Sequence, residues 1–183
     1  MLTSDERAYL LRAARGAIRA ELEGEKPEPQ PRPPQSLLEL QGAFVTLHKR
    51  NMLRGCIGFI EGVKPLLDTV REVAVKAAFE DPRFPPLQLT ELGDVHLEIS
   101  VLSPLELVRD VSTIEVGTHG LVLELAGRRG LLLPQVAVEY GWDRETFLNN
   151  TAQKAGFPPD AWRRPDARIY KFSADVFGEK RKE

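Results

Sequence analysis

The feature that most limits how this chain can fold is a pattern that occurs twice along it. Two short apolar runs separated by turn residues are followed by a helical segment that begins at a proline. Paired apolar runs of this length predict a β-hairpin, and proline favours the first turn of a helix. Strands grouped in hairpins with helices between them are typical of an α+β fold, so we expect a mainly antiparallel sheet that carries helices.

The first occurrence of the pattern lies in the first half of the chain. Its predicted elements are a strand over 42–49, a turn over 50–52, a strand over 53–60, a helix over 66–80 and an alternating strand over 95–102. The second occurrence predicts strands over 114–116, 121–125, 131–133 and 168–172, a hairpin turn over 127–130, and helices over 134–140 and 144–155.

Short matches in the same order indicate an internal duplication. Arg54-Gly55 aligns with Arg129-Gly130, and Lys76-Ala77-Ala78-Phe79 aligns with Lys154-Ala155-Gly156-Phe157. We expect repeat one over about residues 42–104 and repeat two over about residues 113–176.

The N-terminal segment predicts an amphipathic helix that precedes the repeats. Thr3 and Glu6 fit a capping box, and Gly24 ends the helical pattern. Five prolines follow between residues 27 and 34, so we expect an extended proline-rich loop over 25–36.

Composition bounds the protein's class. The 183 residues suit one domain, and 25 basic against 27 acidic residues leave a net charge of −2, which makes nucleic acid an unlikely partner. No segment has the roughly 20 apolar residues that a membrane span needs, so no membrane partner is expected. A single cysteine and no export signal predict a cytoplasmic protein.

The six residues Leu53-Arg54-Gly55-Cys56-Ile57-Gly58 contain that one cysteine. On a regular strand Arg54 and Cys56 share a face, about 7 Å apart, and a nearby cation lowers the pKa of a thiol. Gly55 and Gly58 would let a ligand approach the backbone. The alternative is that Cys56 acts as a small buried core residue and that the glycines mark a bulge or tight packing.

Other polar residues that could take part in chemistry are spread along the chain. Glu98 is the candidate acid/base, if its strand face meets that of Cys56. His48 is expected to pair closer to Leu53 through Gly55 than to Cys56, and His119 lies in a turn. His96 and Glu98 alone are a weak metal pattern, so neither a metal site nor a cofactor is predicted.

Several of these segments, taken in order, resemble the AMMECR-one domain family. The matching segments are Leu53–Gly58, Asp81-Pro82-Arg83-Phe84, Glu98–Leu102, His119-Gly120-Leu121, Leu133–Val136, Lys154-Ala155-Gly156 and Trp162. The prokaryotic branch resembles protein A of the AmmeMemoRadiSam system. The resemblance covers roughly residues 4–178 and implies a single domain whose two strand-and-helix repeats surround one barrel-like sheet.

The resemblance also bears on function. It implies that Leu53–Gly58 is a candidate functional surface, and that Memo-like and radical SAM proteins are partners. Many relatives carry a cysteine just before Lys154, and its absence here leaves only single-thiol chemistry. We predict Cys56, Arg54 and Glu98 as catalytic residues of an enzyme or enzyme component acting in a cleft on a small-molecule or macromolecular ligand. Gly55, Gly58, Arg83 and His119 are predicted to bind that ligand, and the alternative is a non-catalytic protein- or nucleic-acid-binding module.

Overall fold

A computed structural model describes residues 1–180, and these residues form two compact units. The first unit contains residues 1–102 together with the C-terminal segment that begins at Asp175, and the second contains Ser103–Ala174. The first unit's elements are α1 (Ser4–Glu23), a short 3-10 helix (Gln35–Leu38), β1 (Ala43–Lys49), β2 (Met52–Phe59), α2 (Leu66–Phe79), a 3-10 helix (Leu89–Glu91), β3 (Val95–Leu102) and, after the second unit, β8 (Ala174–Gly178).

The second unit follows a similar plan. Its elements are β4 (Glu106–Leu107), a 3-10 helix (Val111–Thr113), β5 (Gly120–Leu125), β6 (Arg128–Leu132), α3 (Pro134–Glu139), α4 (Arg144–Lys154), a 3-10 helix (Pro159–Arg163) and β7 (Arg168–Phe172).

Local sequence signals explain where the first elements begin and end. Thr3 and Glu6 form the predicted capping box, and Gly24 ends α1 in the left-handed conformation with φ of 68°. Arg50 and Asn51 both have positive φ, which is the backbone of a tight hairpin turn between β1 and β2. Residues 25–34 contain neither helix nor strand, and Pro31 accepts a hydrogen bond from the Tyr9 hydroxyl at 2.7 Å.

The core of the first unit lies between its two long helices and one face of its sheet. Ala43, Val45 and Leu47 alternate along β1 toward that core, where they meet the apolar faces of α1 and α2. The intervening residues of β1 point to the opposite face and are half-buried. That opposite face carries the candidate site, because strand alternation sends every second side chain there.

The expected single barrel-like sheet is wrong. Within residues 1–180 the strands form two separate four-stranded antiparallel sheets, in the orders β2-β1-β3-β8 and β4-β7-β5-β6. In each sheet the hairpin pairs with the next long strand of its own unit, β3 or β7. The fourth strand is β8, from farther along the chain, in the first sheet and β4, from before the hairpin, in the second. Alternation patterns show which residues form strands, but they do not show which strands share a sheet.

Two local predictions in the second unit are also wrong. Residues 114–116 form no strand, and Ile114 is instead a fully buried anchor after the 3-10 helix. The β5–β6 turn lies at Ala126 and Gly127, which have φ of 49° and 75°, so Arg128–Gly130 belong to the strand.

Candidate functional site

Cys56 lies on β2, which is an edge strand of the first sheet. It pairs with Thr46 on β1, and the Thr46 hydroxyl donates a hydrogen bond to Sγ at 3.2 Å. Burial raises the pKa of the Cys56 thiol above its ordinary value of 9.0, and the negative charges of Asp81 and Glu98 add to the rise. Thr46 and the positive charge of Arg83 act in the opposite direction but do not outweigh burial. The thiol is therefore protonated at neutral pH.

The backbone of Cys56 is held by the segment that follows α2. Its N–H donates to the Asp81 carboxylate at 2.9 Å, and its carbonyl accepts from the Arg83 guanidinium at 3.5 Å. Arg83 also donates to both oxygens of Asp81, at 2.9 and 2.7 Å, and this ion pair holds the pKa of Asp81 well below its usual range. The side chain of Asp81 is almost fully buried, whereas that of Arg83 is more than half exposed. The Asp81–Arg83 ion pair lies along the free edge of β2 and binds backbone groups there. A further strand would otherwise be able to pair with β2 at this edge.

Arg54 does not act on the thiol, and the prediction that it lowers the pKa of Cys56 is wrong. A bulge opposite Leu47 and His48 leaves Arg54 as the unpaired residue of β2 and removes it from the regular alternation. Its buried guanidinium instead donates to both oxygens of Glu91, at 3.3 and 3.0 Å. These hydrogen bonds, with one from Lys49, lower the pKa of Glu91 to about 2.

Glu98 lies on the same sheet face as Cys56 but not beside it. Both Cys56 and Glu98 pair with Thr46, one from each neighbouring strand, so Thr46 lies between them and its hydroxyl is directed at the Cys56 sulfur. The next row toward the hairpin turn brings the His48 and His96 rings together, with centroids 5.3 Å apart. The side chains of Cys56 on β2 and Glu98 on β3 therefore lie on the same face of the sheet. The catalytic role of Glu98 stays a prediction.

The two glycines of the motif have packing reasons to be glycine. A side-chain carbon on Gly55 would lie 2.1 Å from the carbonyl oxygen of Ala77 in α2, because the helix crosses the strand at this point. One on Gly58 would lie 2.3 Å from the ring of Phe44 on the neighbouring strand. Ligand contact at either glycine stays a prediction.

His119 belongs to the second unit, whereas the residues around Cys56 belong to the first. Its Nδ1 accepts a hydrogen bond from the backbone N–H of Glu115 at 3.0 Å, which closes the turn before β5. This bond gives the side chain a structural role, and ligand binding by His119 stays a prediction.

Sequence reasoning missed Thr46, Asp81 and Glu91 as neighbours of the motif. Thr46 could have been found from hairpin register, because the turn at 50–52 places it close to Cys56. No sequence pattern indicated that Asp81 or Glu91 reaches back to β2 across 25 or 37 residues. Among residues 1–180 no group of three or more histidine, cysteine, aspartate or glutamate side chains is arranged to hold a metal ion.

Comparison with known proteins identifies the family. The AMMECR1 family model matches residues 11–177. The chain belongs to the AMMECR1 family. A protein of Methanothermobacter thermautotrophicus is 48% identical over 185 residues, which cover 97% of this chain and 96% of the relative. Protein PF1979 of Pyrococcus furiosus is 46% identical over 182 residues, which cover 93% of this chain and 87% of the relative.

A solved structure has the same AMMECR1 fold. The crystal structure of the uncharacterized protein PH0010 from Pyrococcus horikoshii is similar with a TM-score of 0.92 and 43% identity, over 98% of this chain and 94% of that one. In the part of the chain that the structure describes, no helix has both the length and the apolar character needed to cross a membrane.

Proposed function

We propose that this protein is a cytoplasmic enzyme component that receives a ligand on the sheet face around Cys56, with Cys56 as its single reactive thiol. The observation that carries the proposal is the way Cys56 is held. Its backbone is fixed by Asp81 and Arg83, while Thr46 donates a hydrogen bond to its sulfur. A core cysteine needs none of these polar contacts, whereas a positioned nucleophile needs its sulfur held in one place.

The raised pKa determines how such a thiol would work. In the free protein Cys56 is protonated, so a ligand must help to remove the proton before sulfur can attack. We assign Glu98 as the acceptor of that proton, because Thr46 pairs with both Cys56 and Glu98. Cys56 would give its proton to the Thr46 oxygen while Thr46 gives its own hydroxyl proton to the Glu98 carboxylate. Thr46 would then carry the former thiol proton and donate it to the thiolate, in the direction in which its hydroxyl donates to sulfur in this structure.

The raised pKa also favours a second candidate function. A non-catalytic binding module would present the same face to a partner with a thiol that remains neutral. The net charge of −2 makes a protein or small molecule a better candidate ligand than nucleic acid. The proposal that Memo-like and radical SAM proteins are the partners rests on the family resemblance.

Adduct formation at Cys56 tests the thiol proposal. The full-length protein is incubated with the small-molecule fraction of a cell extract, and its mass is measured intact and after digestion. We expect a covalent adduct on Cys56 that is absent from Cys56→Ser and reduced in Glu98→Gln. Pull-down of Memo-like and radical SAM proteins from the same extract is measured in parallel. If wild type and Cys56→Ser capture the partner proteins equally and no adduct forms on Cys56, the result would contradict thiol chemistry. It would instead support a non-catalytic binding module.

We also propose that the chain arose by internal duplication, with repeats over about 42–104 and 113–176 inside one domain over 4–178. The strand orders support this, since β2-β1-β3-β8 and β6-β5-β7-β4 place corresponding hairpin strands at corresponding positions. Helix packing supports it as well. Gly55 lies against Ala77, and Gly130 lies against Ala155, and these are the residues that the sequence alignment paired.

A further inference from the structure

A cavity of about 360 Å³ lies in the first unit, mainly between α1 and the proline-rich loop. Hydrogen bonds at both ends hold this loop along the helix. The Glu25 N–H donates to the carbonyl of Ala20 at 2.9 Å, and the Tyr9 hydroxyl donates to that of Pro31 at 2.7 Å. The cavity enclosed in this way has the size of a small-molecule site. Its lining residues take no part in the contacts described around Cys56.

The helix side of the cavity contains a glycine that packing does not require. Gly16 lies inside α1, and a side-chain carbon added to it would have no atom within 4 Å. Gly55 is different, because there the added carbon would meet helix backbone at 2.1 Å. Glycine inside a helix is less stable than alanine. Folding alone therefore does not explain the open space over Gly16, which lets a ligand approach the helix closely.

Two arginines flank this open space. Arg12 lies four residues before Gly16 and Arg19 lies three residues after it, so all three share one face of α1 and line the cavity. Seven residues of helix separate the two arginine Cα atoms by roughly 10 Å. Neither guanidinium forms an ion pair within residues 1–180, and that of Arg12 lies 5.9 Å from the centre of the Tyr9 ring. Guanidinium groups on both sides of a gap suit the oxygens of a phosphate group.

The other two arginines that line the cavity are already paired. Arg15 donates to both carboxylate oxygens of Glu179, each at 2.5 Å. Arg71 lies 3.9 Å from the carboxylate of Asp68. The guanidinium groups on either side of Gly16 are therefore the ones available to an anion.

Negative charge lines the cavity at the end of α1 and along the loop. Three carboxylates there form no ion pair in the part of the chain that the structure describes, namely those of Glu23, Glu25 and Glu28. Glu23 is the last residue of α1 and lies one turn beyond Arg19. Lys26 is the cation that lines the cavity among them. Carboxylates in excess beside a pair of arginines suit a ligand that carries both an anion and a protonated amine.

A buried acceptor without a partner also indicates a ligand. The Oε1 atom of Gln30 is buried, and no described residue donates a hydrogen bond to it. Gln30 lines the cavity next to Pro31. An unsatisfied buried acceptor destabilises the protein, and an N–H or O–H group of a ligand in the cavity would satisfy it.

We propose that this cavity binds a small phosphate monoester that carries a protonated amino group. The phosphate lies over Gly16 between Arg12 and Arg19, and the amino group is directed toward the carboxylates at the end of α1. Gln30 accepts a hydrogen bond from the ligand. The same carboxylates disfavour a polyanion such as nucleic acid. This site does not depend on the reactivity of Cys56.

Isothermal titration calorimetry of the full-length protein tests the proposal with O-phosphoethanolamine. Glycerol 3-phosphate lacks the amino group, ethanolamine lacks the phosphate, and β-alanine carries a carboxylate in place of the phosphate. We expect O-phosphoethanolamine to bind about tenfold or more tightly than each of these three, because each lacks one of the charged contacts. Arg12→Gln and Arg19→Gln should each weaken its binding about tenfold or more for the same reason.

Gly16→Leu separates binding from folding. Leucine favours helix and its side chain enters open space, so this variant should melt at or above the wild-type Tm but lose O-phosphoethanolamine binding. Arg32→Gln changes an exposed arginine of the same loop that does not line the cavity, and it should leave the affinity unchanged. No binding by wild type, equal affinity for glycerol 3-phosphate, or full binding by a folded Gly16→Leu would each overturn the proposal. If Gly16→Leu melts early, the arginine variants decide, and unchanged affinity in both would overturn it.

Discussion

Replacing Gly55 by alanine tests whether the centre of the motif is glycine for packing or for ligand binding. The added carbon would lie 2.1 Å from the carbonyl oxygen of Ala77, about 1 Å inside the 3.0 Å limit that real contacts respect. The obstacle is helix backbone, so no side-chain rotation can relieve it. Either α2 must move away from the sheet or β2 must bend.

The energetic cost follows from what that movement disrupts. Ala77, Ala74 and Val73 are fully or almost fully buried against the sheet, and shifting α2 loosens these contacts together. Overpacking of a core costs about 1–3 kcal/mol, and a clash with backbone belongs at or above the upper end. We expect Gly55→Ala to lose about 3 kcal/mol of unfolding free energy and to lower Tm by about 6–12 °C.

Urea and thermal unfolding of the full chain, followed by far-ultraviolet circular dichroism, measure this loss. Fluorescence alone does not suffice, because Trp142 and Trp162 both lie in the second unit and Gly55 lies in the first. Gly16→Ala is the matched control, since it lies within α1 and has no atom within 4 Å of the added carbon. It should stabilise the protein by about 0.5–1 kcal/mol through helix propensity.

The two variants are expected to shift stability in opposite directions. A loss below about 1 kcal/mol for Gly55→Ala, with an unchanged circular dichroism spectrum, would refute the packing argument. The requirement for glycine would then have to come from a ligand or partner that approaches the backbone.

Three further predictions concern other contacts. Gly130→Ala should destabilise the second unit by about 1–3 kcal/mol in the same unfolding assay, because the added carbon would lie 2.3 Å from the backbone nitrogen of Ala155. Glu91→Gln should lose about 1–2 kcal/mol at pH 7 through its weaker hydrogen bonds to Arg54. Because the folded pKa of Glu91 is lowered from 4.5 to about 2, this stabilisation is present above pH 4.5 and lost as pH falls toward 2. Urea midpoints of variant and wild type should therefore converge over that range, and a constant difference would contradict the argument. Asp143→Ala removes the N-cap of α4 and should lower the urea midpoint, whereas Asp143→Asn should retain most of the wild-type stability because its side-chain oxygen can still accept from Thr146.

Much of the fold could be predicted because the signals act over a few residues. The capping box of Thr3 and Glu6, the turn at 50–52 and the helix that follows Pro65 are each determined by neighbours within about four positions. The family, too, could be recognised from short segments in order. The divided sheet could not, because strand partners are selected by packing between distant segments.

The sequence alone determined that an arginine and the one cysteine lie two residues apart on a strand beside two glycines. Only the tertiary structure decided what they do there. A single bulge removes Arg54 from the face of Cys56 and pairs it with Glu91. Asp81 and Arg83 then hold the cysteine, and burial raises its pKa. Charge and burial depend on groups 25 to 37 residues away in the chain, which local sequence does not specify.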